Sequence, residues 1–217
     1  MSQIPFDVSF EFRSPERDSS VEDYMLKLSP LMAFHPVFAS IANHQPEGKY
    51  VVDNDWNLVK NVKDKHPSTY YFAIALKDQF DIEVVPHLLC NELDPINIDD
   101  ILIGFKYVGI KKVMALRGDR RFKDRRYKNR YSHADEMVKH VSGFNKKNGA
   151  NFGIGIAGYP DVHLDAVSEA GDLLHLKNKV DLGADFVTTQ MFLDNQSFFV
   201  YLDRCRERNI ISPIIPG

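Results

Sequence analysis

The feature that most constrains the fold of this chain is a regular alternation of short apolar runs with longer stretches of helical periodicity. Seven runs rich in β-branched and aromatic residues are predicted to be strands, at residues 7–12, 37–42, 82–89, 112–116, 153–158, 186–191 and 212–215. Helical stretches lie between them at residues 21–32, 69–79, 97–107, 134–147, 165–182 and 196–208, and Asn97 and Asn195 are expected to cap two of them. Strands that alternate with helices predict a parallel sheet with right-handed crossovers.

The number of strands bears on the choice between two parallel architectures. A (β/α)8 barrel has eight strands and typically about 250 residues, whereas this chain has 217 residues and seven predicted strands. An open, doubly wound sheet is the alternative. We predict an α/β fold of the (β/α)8 TIM-barrel type, because nothing indicates a reversal of strand order. Residues 1–217 are expected to form one barrel domain whose eighth strand lies beyond the chain end.

Composition indicates the broad class of protein. The chain is 44% hydrophobic and 26% charged with a net charge of −3, which indicates a soluble domain without general attraction to nucleic acid or membranes. It has no apolar run that could span a bilayer and no signal-peptide pattern, so we expect a cytoplasmic protein. Cys90 and Cys205 are far apart and lack metal-type spacing, which predicts free thiols and no metal site, with a single disulfide as the alternative.

Glu11 is a candidate catalytic residue because it lies between Phe10 and Phe12 in a strand with a buried pattern. Loss of solvent around a carboxyl group raises its pKa and favours its neutral form. A neutral carboxylic acid at the mouth of a barrel can act as a general acid. The alternative is a glutamate at a strand edge that faces solvent or pairs with Arg13.

Further candidates lie at the ends of other predicted strands, where barrels place their active sites. They are His87, Arg117, Gly118, Asp119, Tyr159, His163 and Gln190. Gly118 would let the backbone approach a ligand closely, Arg117 could bind a phosphate, and Asp119 could accept hydrogen bonds from a heterocycle. Each of these residues, taken alone, is also typical of an ordinary loop or a packed position.

Three other segments allow more than one interpretation. Residues 153–158 spell G-x-G-x-x-G, but the motif lies within a predicted strand and no helix follows, which favours tight packing over dinucleotide binding. Residues 43–68 form a long connection in which residues 52–65 could hold a short helix, and Trp56 is more typical of an anchor for this loop than of a platform for a ligand. Residues 117–130 contain eight basic side chains, which suit a solvated loop, cofactor phosphates, a polyanionic substrate tail or RNA.

Several motifs, taken in order, resemble the methylenetetrahydrofolate reductase family. They are VSFEF at residues 8–12, HLLC at 87–90, ALRGD at 115–119, GYPDVHLDA at 158–166, the long block at 172–192 that ends in TTQMF, and IIPG at 214–217. The resemblance covers residues 8–217 and implies a (β/α)8 barrel that binds FAD. It also implies an oxidoreductase of one-carbon metabolism, in which NADH or NADPH reduces the flavin and the flavin reduces 5,10-methylenetetrahydrofolate to 5-methyltetrahydrofolate. A homo-oligomer is expected.

The resemblance also assigns roles to residues of this chain. Glu11 and Asp119 match the catalytic positions, and Asp119 and Gln190 match positions that bind folate. The positions that match flavin contacts are His87, Arg117, Gly118, Asp119, His133, Ala134, Tyr159, His163, Ala166, Asp172, His175, Asn178 and Lys179.

The chain departs from the usual family pattern at two strand ends. Arg13 and Ser14 follow Phe12 where the family has FEFFPP, and residues 42–44 replace an element in which a threonine precedes an aromatic residue. These departures leave open an alternative function, in which the chain is a non-catalytic relative that binds flavin or folate and serves as a partner or regulatory subunit.

Overall fold

The computed structural model describes residues 7–43, 47–52, 57–63, 66, 68–118, 131–163 and 166–217. The chain divides into two compact units, the first made of residues 1–87 and 119–122 and the second of residues 88–118 and 123–217. Each unit is described by itself below. The boundary falls within one strand, Val84–Leu89, so that this strand contributes to both units.

The first unit contains three parallel strands, two helices and a hairpin. In chain order the elements are β1 (Ser9–Arg13), α1 (Val21–Met32), β2 (Phe38–Ala42), β3 (Glu47–Val52), β4 (Leu58–Lys63), α2 (Thr69–Phe80) and β5 (Val84–Leu89). The parallel strands run in the order β1-β2-β5. All residues of β2 and β5 are buried, which explains why both strands are apolar along their whole length apart from Ser40 and His87.

The β3–β4 hairpin corrects one expectation from the sequence. Residues 52–65 were expected to hold a short helix, but Leu58–Lys63 forms a strand that pairs antiparallel with Glu47–Val52. Valines at positions 51, 52, 59 and 62 favour extended backbone because branching at Cβ restricts the side chain in a helix. Trp56, expected to anchor this connection, lies outside the described residues.

The second unit continues the alternation of strands and helices. Its elements after β5 are α3 (Pro95–Val108), β6 (Lys112–Leu116), α4 (Ala134–Asn148), β7 (Gly153–Gly158), α5 (Glu169–Asp181), β8 (Phe186–Thr189), α6 (Asn195–Glu207) and β9 (Ile214–Ile215). The strand order is β5-β6-β7-β8-β9, and the β6–β7, β7–β8 and β8–β9 pairs are parallel. In both units the strand order follows the chain order without reversal. The predicted (β/α)8-type fold with seven parallel strands is therefore confirmed.

Aspartates cap two helices at positions that differ from those expected. Asn97 and Asn195 were expected to precede α3 and α6, but the carboxylate of Asp94 accepts a hydrogen bond from the Asn97 N–H at 2.8 Å, and Asp194 accepts one from Gln196 N–H at 3.0 Å. Both expectations were wrong because an N-cap side chain bonds the amides two or three residues further on, which moves each helix start towards the N-terminus. None of the helices in the described ranges is both long and apolar enough to span a bilayer.

The glycines of β7 make room for large side chains, as expected for the G-x-G-x-x-G stretch. A Cβ atom added to Gly155 would lie 2.5 Å from Cζ of Phe186 and 2.6 Å from Sδ of Met114. A Cβ atom on Gly158 would lie 2.3 Å from the hydroxyl of Tyr201 on α6. The motif therefore serves close packing on both faces of β7.

Replacement of Gly155 by alanine is expected to destabilise the protein by about 1–3 kcal/mol, because the added methyl group must displace Phe186 or Met114. The measurement is the free energy of unfolding in urea. The matched control is Gly104→Ala in α3, where an added Cβ meets nothing within 4 Å. That control should raise stability by about 0.5–1 kcal/mol, the usual gain from alanine in a helix interior. Equal stabilities of the two variants would contradict this packing argument.

Candidate functional site

Glu11 belongs to a polar cluster within the first unit. Glu11 on β1 is in register with Ser40 on β2, and His87 lies near the end of β5. The Nε2 atom of His87 lies 2.9 Å from Oγ of Ser40 and 3.8 Å from Oε2 of Glu11. His87 and Ser40 are buried, whereas 61% of the Glu11 side-chain surface is exposed. The cluster thus presents one solvent-accessible carboxyl group supported by a buried imidazole.

The environment of Glu11 raises its pKa. The first cause is partial loss of solvent around the carboxyl group, and the positive charge of Arg13 acts in the opposite direction but does not outweigh it. The structure therefore combines the raised pKa expected for a buried Glu11 with the solvent exposure of the alternative, a glutamate that faces solvent. The register explains this exposure, because alternate residues of a strand face opposite sides and Phe12, not Glu11, enters the core.

Ser40 is a member of this cluster that sequence reasoning missed. It is the single polar residue in the strand FASIA, and a hydroxyl group buried there requires a partner. His87 supplies that partner, 47 residues away along the chain. A single polar residue in an otherwise apolar strand could have indicated a buried hydrogen bond. The sequence alone could not identify His87 as the partner, because that depends on how the strands are aligned.

The two departures from the family pattern are held by hydrogen bonds within the first unit. Nδ1 of His66 donates to the carbonyl oxygen of Ser14 at 2.8 Å, and Ser14 is buried. At the end of β2 the hydroxyl of Thr69 donates to the carbonyl oxygen of Ala42 at 3.3 Å. Both altered segments are thus fixed parts of the fold, as far as the described residues extend.

The turn after β6 carries two of the predicted residues of the second unit. Gly118 has a φ of +80°, and a Cβ added there would lie 2.3 Å from Oδ1 of Asn91. The carbonyl oxygen of Arg117 accepts hydrogen bonds from Asn91 N–H at 3.2 Å and from the thiol of Cys90 at 3.3 Å. Burial raises the pKa of Cys90 to about 12, so this thiol stays protonated and acts as a donor. Asp119 lies outside the described residues, and its role remains a prediction.

A second cluster lies where β7 meets α5. Four of the predicted residues are together here, namely Tyr159, His163, Asp172 and Lys179. The Asp172 carboxylate accepts a hydrogen bond from the His163 N–H at 3.2 Å, and the rings of Tyr159 and His163 lie edge to face at 4.5 Å. Tyr159, Asp172 and Lys179 line one small pocket together with Tyr201 of α6.

Lys179 is a half-buried lysine in this cluster. Its Nζ donates to the carbonyl oxygen of Ala157 at 3.4 Å. Burial lowers the pKa of Lys179, and the negative charges of Asp172 and Asp135 oppose that shift. An additional anion beside this ammonium group would favour its charged form, so the cluster is suited to an anionic ligand such as a phosphate.

The remaining predicted residues of the second unit lie around these two sites. Ala134 is the first residue of α4, and the preceding His133 N–H donates to the Glu136 carboxylate at 3.0 Å. Asn178 donates to Asp135 at 3.2 Å and so ties α5 to α4. The others are half-buried Ala166, exposed His175 on α5, and exposed Gln190, whose N–H donates to the carbonyl oxygen of Gly158 at 2.8 Å.

Comparison with known proteins identifies the family. A family model described as methylenetetrahydrofolate reductase matches residues 2–217. The chain belongs to the methylenetetrahydrofolate reductase family. The family resemblance found in the sequence is thereby confirmed.

Relatives of this methylenetetrahydrofolate reductase family member come from plants, bacteria and animals. It is 31% identical to methylenetetrahydrofolate reductase (NADH) 1 of Zea mays over 221 aligned residues. The alignment covers 96% of this chain and 34% of the relative. It is 31% identical over 215 residues to 5,10-methylenetetrahydrofolate reductase of Escherichia coli K12, covering 99% of this chain and 64% of the relative. A probable methylenetetrahydrofolate reductase (NADPH) of Caenorhabditis elegans is 32% identical over 172 residues, covering 78% of this chain and 26% of the relative. The chain thus spans about a third of the plant relative's length.

Solved structures support the fold. An uncharacterised protein from Clostridium thermocellum, which binds two copies of 5-methyl-5,6,7,8-tetrahydrofolic acid, matches with a TM-score of 0.64 at 9% identity, covering 97% of this chain and 65% of that one. A 2,3-dimethylmalate lyase matches with a TM-score of 0.60 at 9% identity, covering 97% of this chain and 66% of that one. At such low identity these similarities show the fold alone.

Replacement of Arg13 by glutamine is expected to raise the pKa of Glu11 further, because it removes the positive charge that lowers this pKa in the wild type. In the wild type the pKa should lie above the ordinary value of 4.5. The measurement is an NMR titration of the labelled Glu11 carboxyl carbon.

Lys27→Gln on the exposed face of α1 serves as the charge-matched control and should leave the Glu11 pKa unchanged. Because folding raises this pKa, wild-type stability relative to Glu11→Gln should fall as pH rises through the folded-state value. A Glu11 pKa below the ordinary value would contradict the role of desolvation.

Proposed function

We propose that this chain provides the catalytic barrel for flavin-dependent reduction of 5,10-methylenetetrahydrofolate to 5-methyltetrahydrofolate. The observation that carries this proposal is the Glu11 carboxyl group, whose pKa is raised and which lies 3.8 Å from a buried histidine in a chain of this family. A carboxyl group that is neutral over a wider pH range can deliver a proton to a bound substrate.

The residues of the second unit fit FAD. Burial lowers the pKa of half-buried Lys179 despite the negative charges of Asp172 and Asp135, and a phosphate group beside it would favour its charged form. Tyr159 and His163 of the same cluster offer an aromatic surface and a ring nitrogen. Gly118 allows the turn at the end of β6, because its φ is +80° and the Asn91 amide fills the space that a side chain would need. When bound, FAD would accept hydride from NADH or NADPH and pass it to the folate.

We assign the cofactor contacts to the positions named from the family resemblance. They are His87, Arg117, Gly118, Asp119, His133, Ala134, Tyr159, His163, Ala166, Asp172, His175, Asn178 and Lys179. Those that make polar contacts with one another, such as His163 with Asp172, are supported more directly than exposed His175.

Glu11 is assigned the role of general acid. Its proton, held on a carboxyl oxygen, would pass to a nitrogen of 5,10-methylenetetrahydrofolate, so that the methylene bridge opens to an iminium ion able to accept hydride. His87 supports the carboxyl group, and Ser40 fixes the imidazole of His87 through a hydrogen bond of 2.9 Å. Asp119 and Gln190 are assigned to folate binding.

The reductant is NADH or NADPH. The names of the relatives include both, since the Zea mays protein is named for NADH and the Caenorhabditis elegans protein for NADPH. The altered segment begins at Ala42, the last residue of β2, whose carbonyl oxygen accepts a hydrogen bond from the Thr69 hydroxyl.

A visible spectrum of the purified whole protein tests this function. We expect a flavin spectrum that is bleached by NADH or NADPH and restored by 5,10-methylenetetrahydrofolate. A protein that purifies without flavin and takes up none would contradict the proposal. A flavin that is reduced but never reoxidised by the folate would favour the alternative of a non-catalytic relative.

Replacement of Glu11 by glutamine is expected to slow the folate half-reaction by about 10²–10⁴-fold, the usual cost of losing a general acid. Flavin reduction by the nicotinamide should stay close to wild type, because no proton from Glu11 enters that step. Stopped-flow absorbance of the flavin measures the two half-reactions separately. Glu22→Gln on exposed α1 is the matched control and should affect neither. Equal losses in both half-reactions would point to a folding defect instead.

A further inference from the structure

Thr188 carries a buried hydroxyl oxygen that forms no hydrogen bond with any residue in the described part of the chain. Its neighbour Thr189 differs, since its Oγ1 accepts a hydrogen bond from Gly217 N–H at 2.9 Å. A hydroxyl group removed from water without a partner destabilises the fold, and buried polar groups in proteins are nearly always bonded. The Thr188 hydroxyl group therefore requires a hydrogen-bond partner.

Strand register shows which side of the sheet Thr188 faces. Thr188 pairs with Ala157 of β7 and with Ile215 of β9. The next position along, Gly158, faces α6, because a Cβ added there would meet the Tyr201 hydroxyl. Successive residues of a strand face opposite sides, so Ala157 and Thr188 face away from α6. Gln190, two residues beyond Thr188 and exposed, continues on the same side.

On the same face of the sheet a large apolar side chain precedes Thr188, and the exposed Gln190 follows it. Phe186, two residues before Thr188, packs over Gly155, with its Cζ atom 2.5 Å from the position of an added Cβ. Beside Thr188 on β7 stands Ala157, which offers only a methyl group. A flat ligand at the carboxyl end of these strands would thus rest on Ala157 and Thr188, with Phe186 closing the space beneath.

We propose that Thr188 donates its hydroxyl proton to an oxygen or nitrogen acceptor on the ring system of the bound flavin. This inference rests on the proposed function, because it assigns the partner of Thr188 to the same cofactor. A flavin ring offers carbonyl oxygens and ring nitrogens as acceptors, and a threonine hydroxyl is a donor with free rotation. The residue acts in binding, and no proton transfer is assigned to it.

Thr188→Val tests this inference because it removes the hydroxyl group and keeps the branched shape. The flavin dissociation constant, measured by fluorescence titration of the flavin-free protein, is expected to rise about 3- to 10-fold, the effect of one neutral hydrogen bond. The Tm of the flavin-free variant is expected to rise, because the unbonded hydroxyl is gone. The variant should therefore be more stable without flavin and gain less stability from it.

Two further variants serve as controls. Thr188→Ser keeps the hydroxyl group and should restore a dissociation constant close to wild type, even if the smaller side chain lowers Tm. Thr189→Val removes the acceptor of the Gly217 N–H and should lower the Tm of the flavin-free protein while leaving the flavin dissociation constant unchanged.

Two results would overturn the inference alone: a flavin dissociation constant that Thr188→Val leaves unchanged, or a lower Tm of that variant without flavin. A wild-type protein that binds no flavin would overturn both the proposed function and this inference. A structural role for Thr188 would lower Tm in both states and leave the dissociation constant unchanged, so the two explanations are separated.

Discussion

The register of the parallel strands determines which polar side chains lie next to one another and which face of the sheet they occupy. Because neighbouring strands are bonded residue by residue and side chains alternate between faces, a shift of one position would exchange the buried and exposed sets. Glu11 stands beside Ser40 for this reason, and Thr188 stands beside Ala157. The chemistry proposed for each unit follows from these pairings.

Apolar packing supports the polar clusters by excluding water from their inner members. Ser40 and His87 lie in strands whose other residues are buried and apolar, so their mutual hydrogen bond has no competing solvent. Lys179 is only half-buried, and its Nζ donates to the carbonyl oxygen of Ala157, with the negative charges of Asp172 and Asp135 nearby. In both clusters the fold places a polar group beside specific polar partners.

Much of the fold could be predicted from the sequence, because apolar periodicity reports burial directly. Seven strands and six helices were found within a few residues of their observed bounds. The β3–β4 hairpin was missed because its residues lack a clear alternation of apolar and polar side chains. The helix starts at Asp94 and Asp194 were missed because a cap is defined by hydrogen-bond geometry.

The candidate sites could be predicted only in part. The family motifs named Tyr159, His163, Asp172 and Lys179, and the structure brings these four together. Ser40 and Asn91 were missed, because neither belongs to one of the family motifs named above. Their roles depend on contacts with residues distant in the sequence, Ser40 with His87 and Asn91 with Gly118. The sequence left the exposure of Glu11 open, because a local pattern of aromatic residues does not say which side of the strand enters the core.

The contact of Gly118 with Asn91 limits how this chain could change over evolutionary time. The space that a side chain at position 118 would need is filled by the Asn91 amide, and the φ of +80° disfavours any residue with a Cβ atom. A side chain at position 118 is thus opposed both by the contact with Asn91 and by the backbone conformation. A smaller residue at position 91 would remove only the contact. Among descendants of this chain, a substitution of Gly118 should therefore occur only together with a substitution of Asn91, and the change at position 91 should come first.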